Sequence, residues 1–118
     1  MVYDIYVSEE HVRKAEEWAQ RLAEEADKAN CEELVYFIAP EQGGPVKIGI
    51  TKDIRKRFAT IQSHSPYKLD IISVAPGGRE LESHLHTMFF RERLHGEWFE
   101  PSERVMWMAD TFAVRWIG

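Results

Sequence analysis

The sequence predicts an α/β (α+β) domain in which a small mixed or antiparallel three-stranded sheet is flanked by helices. Two short runs at residues 34–39 and 46–51 are rich in β-branched and aromatic residues, and a turn rich in Gly and Pro joins them. This pattern is typical of a β-hairpin. A third run at residues 69–75 is nearly continuous in apolar residues, which predicts a strand that is covered on both faces and is therefore central.

The first 30 residues are predicted to form an acidic helical extension of a domain that spans residues 31–118. This extension holds eight acidic and four basic residues, and Ser8 can cap its helix. Its apolar residues recur with helical spacing in one narrow stripe, with Trp18 as the largest member. We expect the helix to pack on the flank of the domain with Trp18 as its anchor, and a dimer or partner helix is the alternative. Residues 1–7 could form a short strand or an arm.

A helix is predicted at residues 52–63, directly after the hairpin. Its apolar positions Ile54, Phe58 and Ile61 follow the i, i+4, i+7 pattern of an inward face. Thr51 is the expected cap of this helix.

A further helix is predicted at residues 79–94, and Gly96 is its natural stop. Its core stripe consists of Leu81, Leu85, Met88 and Phe89. Residues 97–101 are expected to form an ordered loop or a short strand. Ser102 then caps a last helix that runs to about residue 116, with the apolar face Val105, Met108, Ala109 and Phe112.

Composition limits the function classes. The chain has 118 residues, which indicates one domain, and it contains one cysteine, which fits a reducing cytosol and a cytoplasmic location. No apolar run is long enough to span a membrane, so no membrane partner is expected. The net charge of −5 argues against strong stand-alone binding of nucleic acid. However, residues 47–57 hold five basic residues and one acid, so a local basic patch is expected.

Several functional side chains follow in a fixed order. Tyr36 lies in the first strand, Lys47-Ile48-Gly49 begins eleven residues later, and Arg57 follows in the next helix. Glu82 and a histidine four residues on lie in a later helix, and Gly-Glu-Trp-Phe occupies residues 96–99. This ordered set resembles the GIY-YIG nuclease superfamily. It is similar in particular to a bacterial and phage subset with KIG as the second motif, an E-x-x-x-H helix and a C-terminal GEWF.

The resemblance implies a metal-dependent endonuclease that hydrolyses phosphodiester bonds of DNA by a single-metal mechanism and leaves a 5′-phosphate. It implies Mg²⁺, or Mn²⁺ in its place, with Glu82 as the metal ligand. It also implies Tyr36 as the general base, Lys47 and Arg57 as stabilisers of charge, and His86 as an assisting catalytic residue.

The chemistry of these residue types agrees with such a site. A phenol has a pKa of about 10 and is a poor base in water, but nearby cations such as Lys47 and Arg57 lower that pKa. The alternative is that Tyr36 is an ordinary strand aromatic. Lys47 can likewise be an exposed strand lysine, and we keep both interpretations.

The remaining candidates also have alternatives. A single carboxylate such as Glu82, completed by water and phosphate, suits Mg²⁺, whereas exposed helical glutamates are common. His86 could be a second ligand, a proton donor or a residue that orients Glu82. Lys52, Arg55 and Lys56 are expected to contact the DNA backbone or to remain solvated.

The segment at residues 97–99 is expected to hold the last helix against the sheet, although Trp98 could instead stack on a base. A second function class is a catalytically silent nucleic-acid-binding or protein-interaction module that uses the same basic face. The expected partners are DNA and, through the N-terminal helix, a second copy of the chain or another protein.

Overall fold

A computed structural model of the protein describes residues 8–117. The predicted fold class is confirmed, because helices flank an antiparallel sheet. In chain order the elements are α1 (Glu9–Lys28), β1 (Leu34–Pro40), β2 (Val46–Thr51), α2 (Ile54–Ser63), β3 (Leu69–Pro76), α3 (Arg79–Met88), β4 (Arg93–His95), β5 (Trp98–Phe99), α4 (Glu103–Phe112) and a π-helical turn (Ala113–Ile117). The prediction of a strand or an arm at residues 1–7 lies outside the described residues.

The sheet has five strands in the order β3-β1-β2-β5-β4, and the predicted number of three is wrong. The two additional strands contain three and two residues, which is too short for a period-2 pattern to show in the sequence. The helix predicted at residues 79–94 ends at Met88, so β4 occupies part of the segment that was predicted to be helical. All pairings in the sheet are antiparallel.

The third strand is an edge strand rather than the central strand that its apolar run predicts. Its neighbour β1 lies between β3 and β2, and residues 35–39 of β1 are all buried. In β3, Asp70 and Ile71 are exposed. An apolar run shows that side chains seek burial, but it does not show on which side of its neighbour a strand pairs.

Alternation along β1 divides the core into two layers. Val35, Phe37 and Ala39 face one side of the sheet, where they pack with buried residues of α1, α3 and α4. Tyr36 and Ile38 face the other side, where α2 covers them with Ile54, Phe58 and Ile61. The predicted inward faces of α2, α3 and α4 are therefore confirmed.

The cap of α2 is Asp53, not Thr51. The carboxylate of Asp53 accepts a hydrogen bond from the Lys56 amide (3.1 Å). The Thr51 hydroxyl accepts one from the Asp53 amide (3.0 Å) and holds the turn in front of the helix. Both residue types are good caps, and the two-residue difference depends on where β2 ends.

The N-terminal helix shares the core of the sheet. Its cap Ser8 accepts a hydrogen bond from the His11 amide, as predicted. Ala19 and Leu22 are buried in the same cluster as the β1 side chains. Trp18, the predicted anchor, is 43% exposed, so that expectation is wrong. Small side chains bring the helix close to its neighbours, and an indole does not fit in that contact.

A hydrogen bond between α3 and α1 also holds the N-terminal helix against the domain. The His84 ring nitrogen Nε2, on α3, lies 2.8 Å from the carbonyl oxygen of Ala15, and because a carbonyl can only accept, the histidine donates.

The last predicted helix also differs from expectation, because α4 ends at Phe112 and a π-helical turn follows. None of the helices within residues 8–117 is long and apolar enough to cross a bilayer.

Replacement of Leu22 by Ala should lower the free energy of unfolding by about 2 to 5 kcal/mol, because it removes a buried side chain from the core. Trp18→Ala is the matched control on the same helix, and we expect a smaller loss because that side chain is half exposed. Urea denaturation of both variants measures the difference. A larger loss for Trp18→Ala than for Leu22→Ala would contradict the position of α1 against the core.

Candidate active site

Tyr36 and Gly49 face each other across the β1–β2 hairpin and form the floor of the candidate site. The tyrosine is 2% exposed, and its ring extends across β2 over the glycine. A Cβ atom on residue 49 would lie 2.5 Å from the Tyr36 hydroxyl oxygen and 2.7 Å from its Cζ. Such distances are too short for real atoms, so only glycine at this position lets the hydroxyl reach its place.

Lys47 lies opposite Ile38 on β2 and thus on the same face of the sheet as Tyr36. Its ammonium nitrogen is 3.2 Å from Glu97 Oε1 and 5.3 Å from the ring centroid of Trp98. Only 19% of the lysine side chain is exposed. The interpretation of Lys47 as an ordinary exposed strand lysine is therefore wrong, because the side chain is held between a carboxylate and an indole ring.

Glu97 is the residue of the site that the sequence interpretation missed. It was expected to help hold the last helix, a role that buried Phe99 fills. Instead, Glu97 Oε1 lies 2.8 Å from the Cβ position of Gly49, beside the Tyr36 hydroxyl. The backbone carbonyl of Glu97 accepts a hydrogen bond from the Ile48 amide (2.9 Å), which fixes the segment against β2. The GEWF pattern indicates a turn and a short strand, but it does not say which strand pairs with it.

Glu82 lies on α3 in direct contact with Glu97. Burial is the main cause that raises the pKa of Glu82, and the negative charge of Glu97 raises it further. A hydrogen bond between the two side chains acts in the same direction, whereas His86 and Arg79 lower the pKa. The candidate metal ligand is therefore one of a pair of adjacent carboxylates.

His86 lies one helical turn after Glu82 and faces the backbone of β2. Its Nε2 donates a hydrogen bond to the Ile48 carbonyl (2.9 Å), and its ring packs edge-on against Phe99 with 4.9 Å between centroids. The histidine thus satisfies a backbone group of β2 next to the point where β5 begins. Since Nε2 is occupied, only Nδ1 is left for a ligand or a proton, and the geometry favours a positioning role.

The phenol of Tyr36 is harder to ionise than the sequence predicts. Burial raises the pKa of Tyr36 to about 12, the charges of Glu97 and Glu82 also raise it, and Arg57 lowers it. The expectation that Lys47 and Arg57 together depress this pKa is wrong for the protein without a bound cation. The main reason is that the phenol is buried. In addition, two carboxylates stand near the hydroxyl, and one of them pairs with the lysine.

The basic residues lie at the start of α2. Arg57 is exposed, and its charge acts on Tyr36. Lys52, Arg55 and Lys56 are also exposed. A cleft of about 230 Å³ beside them is lined by Thr51, Asp53, Lys56, Arg57 and Thr60. Of the predicted DNA-binding residues, Lys56 therefore lines this cleft together with Arg57, whereas Lys52 and Arg55 are exposed and do not line it.

The donor set of the site fits a hard divalent cation. Within residues 8–117 there is no group of three or more His, Cys, Asp or Glu side chains suited to a metal ion. Glu82 and Glu97 nevertheless offer two carboxylates, and Mg²⁺ is commonly held by one or two carboxylates, with water and phosphate oxygens as the other ligands. The lack of cysteine or clustered histidine at the site is unlike a structural zinc centre.

The chain was compared with known families, curated proteins and solved structures. The T5orf172 domain matches residues 33–115. No curated protein and no solved structure gave a match. The matched segment begins just before β1, contains every residue of the candidate site, and leaves α1 outside it. Because the match covers well over half of the 118 residues, this chain belongs to the T5orf172 domain family.

Proposed function

We propose that the protein is a metal-dependent endonuclease that hydrolyses DNA phosphodiester bonds by a GIY-YIG-type single-metal mechanism. The observation that carries the proposal is the convergence of Tyr36, Lys47 and Glu82 on Glu97, beside Gly49. The β1–β2 hairpin supplies Tyr36 and Lys47, and the distant helix α3 supplies Glu82. The pKa values of Tyr36 and Glu82 are both raised, and neighbouring groups with perturbed pKa values are characteristic of catalytic sites.

The family supports the proposal independently of the geometry. The T5orf172 domain is associated with nuclease-type domains of the GIY-YIG and HNH-like kinds. The order of Tyr36, Lys47-Ile48-Gly49, Arg57 and Glu82 along the chain is the order of the functional motifs in the superfamily that the sequence resembles.

Binding of DNA is assigned to the first turn of α2. This turn holds Arg55, Lys56 and Arg57, and no acidic residue follows the cap. Cations at a helix N-terminus are unfavourable for the helix dipole, whereas anions are attracted there. A basic first turn therefore costs stability and creates a strong positive potential, as expected where phosphate groups bind.

The chemical step needs a base, an acceptor of the developing charge and a route for protons. Tyr36 Oη, in its ionised form, is the proposed general base and would take a proton from the attacking water. The water oxygen would bond to phosphorus as the bond from phosphorus to the 3′ oxygen breaks, and the leaving 3′ oxygen would take a proton from solvent. Mg²⁺ or Mn²⁺, held by Glu82, supplies stabilisation of negative charge on the phosphate oxygens. Arg57, whose charge acts on Tyr36, and Lys47, which pairs with Glu97, would add positive charge to the site. His86 acts as a positioning residue that keeps α3 against β2.

A second candidate function is a catalytically silent nucleic-acid-binding or protein-interaction module on the same fold. Two observations favour it: the raised pKa of Tyr36, about 12, and the pairing of Lys47 with Glu97. Incubation of the protein with plasmid DNA and Mg²⁺ or Mn²⁺, with and without EDTA, separates the two functions. Cleavage that EDTA stops supports the nuclease, and DNA binding without cleavage under all these conditions supports the silent module.

Glu82→Gln should abolish metal-stimulated cleavage, because the amide is a much weaker metal ligand than the carboxylate. The fold should remain, since the half-buried side chain keeps its shape. Glu80→Gln is the control, an exposed glutamate on the same helix. Plasmid nicking and circular-dichroism melting measure the two effects. Undiminished cleavage by a folded Glu82→Gln protein would show that Glu82 is not the ligand.

Tyr36→Phe should slow the chemical step by about 10²- to 10⁴-fold, the usual effect of removing a general base. The ring remains, so DNA affinity and melting temperature should change little. Because the base acts in its unprotonated form and the pKa of Tyr36 is raised, the wild-type rate should increase between about pH 7 and pH 9. Single-turnover cleavage at several pH values tests this. A variant that cuts at the wild-type rate would refute the base assignment.

Lys56→Ala should weaken DNA binding and reduce the slope of log affinity against log salt by about 1, because one phosphate contact is lost. Lys14→Ala is the matched control, an exposed lysine on α1 that pairs with Glu10. Fluorescence anisotropy with a labelled duplex at several salt concentrations gives both slopes. Equal slopes for the two variants would place the DNA-binding face elsewhere.

A further inference from the structure

We propose that Glu97 is a second carboxylate ligand of the divalent cation that the proposed function assigns to Glu82. This inference rests on the proposed function and extends it. The protein would then supply two carboxylate ligands, one glutamate from α3 and one from the turn before β5.

The position of Glu97 is the first argument. Its Oε1 atom and the Tyr36 hydroxyl both lie within 3 Å of the Cβ position of Gly49, so the two groups are neighbours above the same glycine. The Glu97 side chain also lies within hydrogen-bonding reach of Glu82, and such a bond requires a proton on one of the two carboxyl groups. A cation held by both carboxylates would therefore lie beside the phenol that is proposed to act on the attacking water.

The accessibility of Glu97 is the second argument. Its side chain is 40% exposed, so a hydrated ion can reach it. A role in holding Lys47 alone does not explain why the carboxyl group of Glu82 lies in contact with Glu97. Two carboxylates in contact repel each other unless positive charge lies between or beside them. Lys47 supplies such charge on one side, and a divalent cation between Glu82 and Glu97 would supply it on the other.

The position of the segment is the third argument. Glu97 follows Gly96, which has the left-handed φ of +58°. Its carbonyl is bound to the Ile48 amide, and the next residue, Trp98, pairs with Lys47. The backbone after Glu97 is thus fixed to β2, and His95 before it pairs with Trp98. Such a rigid base holds a ligand in place before the metal arrives, which reduces the entropic cost of binding.

Binding of Mn²⁺ to the full chain without DNA tests the proposal, with the free ion measured by electron paramagnetic resonance. Glu97→Gln should weaken Mn²⁺ binding by at least about 10- to 100-fold, because the loss of a residue that only orients a metal ligand already has an effect of this size. Glu100→Gln, an exposed glutamate in the same segment, should bind as the wild type does. Glutamine keeps an oxygen that can accept from Lys47, and melting curves check the fold.

Lys47→Met distinguishes a ligand from a residue that acts only through the lysine. If Glu97 is a ligand, this variant should bind Mn²⁺ more tightly, because the ammonium no longer competes for the Glu97 oxygen. A loss of affinity as large as that of Glu97→Gln would instead mean that Glu97 acts through Lys47, and the proposal would be wrong.

The remaining outcomes separate this inference from the proposed function. Wild-type affinity in Glu97→Gln together with lost affinity in Glu82→Gln would overturn the role of Glu97 alone. A wild type that cleaves DNA with Mg²⁺ but binds no Mn²⁺ without DNA would also overturn it, because two fixed carboxylates should hold the ion unaided. In both cases the proposed nuclease would stand, since its own test is cleavage.

Discussion

The candidate site depends on one steric constraint, the empty position at Gly49. The hairpin register sets Tyr36 opposite this residue, and the lack of a side chain leaves room for the phenol to cross β2. The hydroxyl can then meet Glu97, which arrives on the neighbouring segment. A methyl group at position 49 would collide with both atoms, so the geometry of the site is incompatible with any larger residue there.

Charge balance around this point explains the second feature of the site. Glu82 and Glu97 are in contact, and Lys47 compensates for one of them. Together with burial, the two carboxylates raise the pKa of Tyr36, and Arg57 opposes this effect. The site therefore carries two neighbouring carboxyl groups, and the basic helix α2 lies beside it. Bound positive charge would relieve the repulsion and favour the phenolate, because opposite charge stabilises an ionised group.

Local sequence signals determined most elements of the fold. Turn residues between two β-branched runs specify the hairpin, and apolar spacing specifies the inward faces of α2, α3 and α4. The same signals failed for the order of the strands and for the anchor of α1. An apolar run records that a strand is buried but not which neighbour it pairs with, and the size of Trp18 says nothing about the space between α1 and the core. The strands β4 and β5 are too short to carry a pattern.

For the candidate site, the sequence by itself determined the identity and order of Tyr36, Lys47, Arg57 and Glu82, because these lie in motifs with fixed local spacing. Only the tertiary structure decided their surroundings. Pairing of β5 with β2, a contact between residues about 50 positions apart, brought Glu97 to the phenol and gave Lys47 a partner. Burial and charge at a site are sums over neighbours from distant segments, and so the direction of the Tyr36 pKa shift could not be read from local sequence.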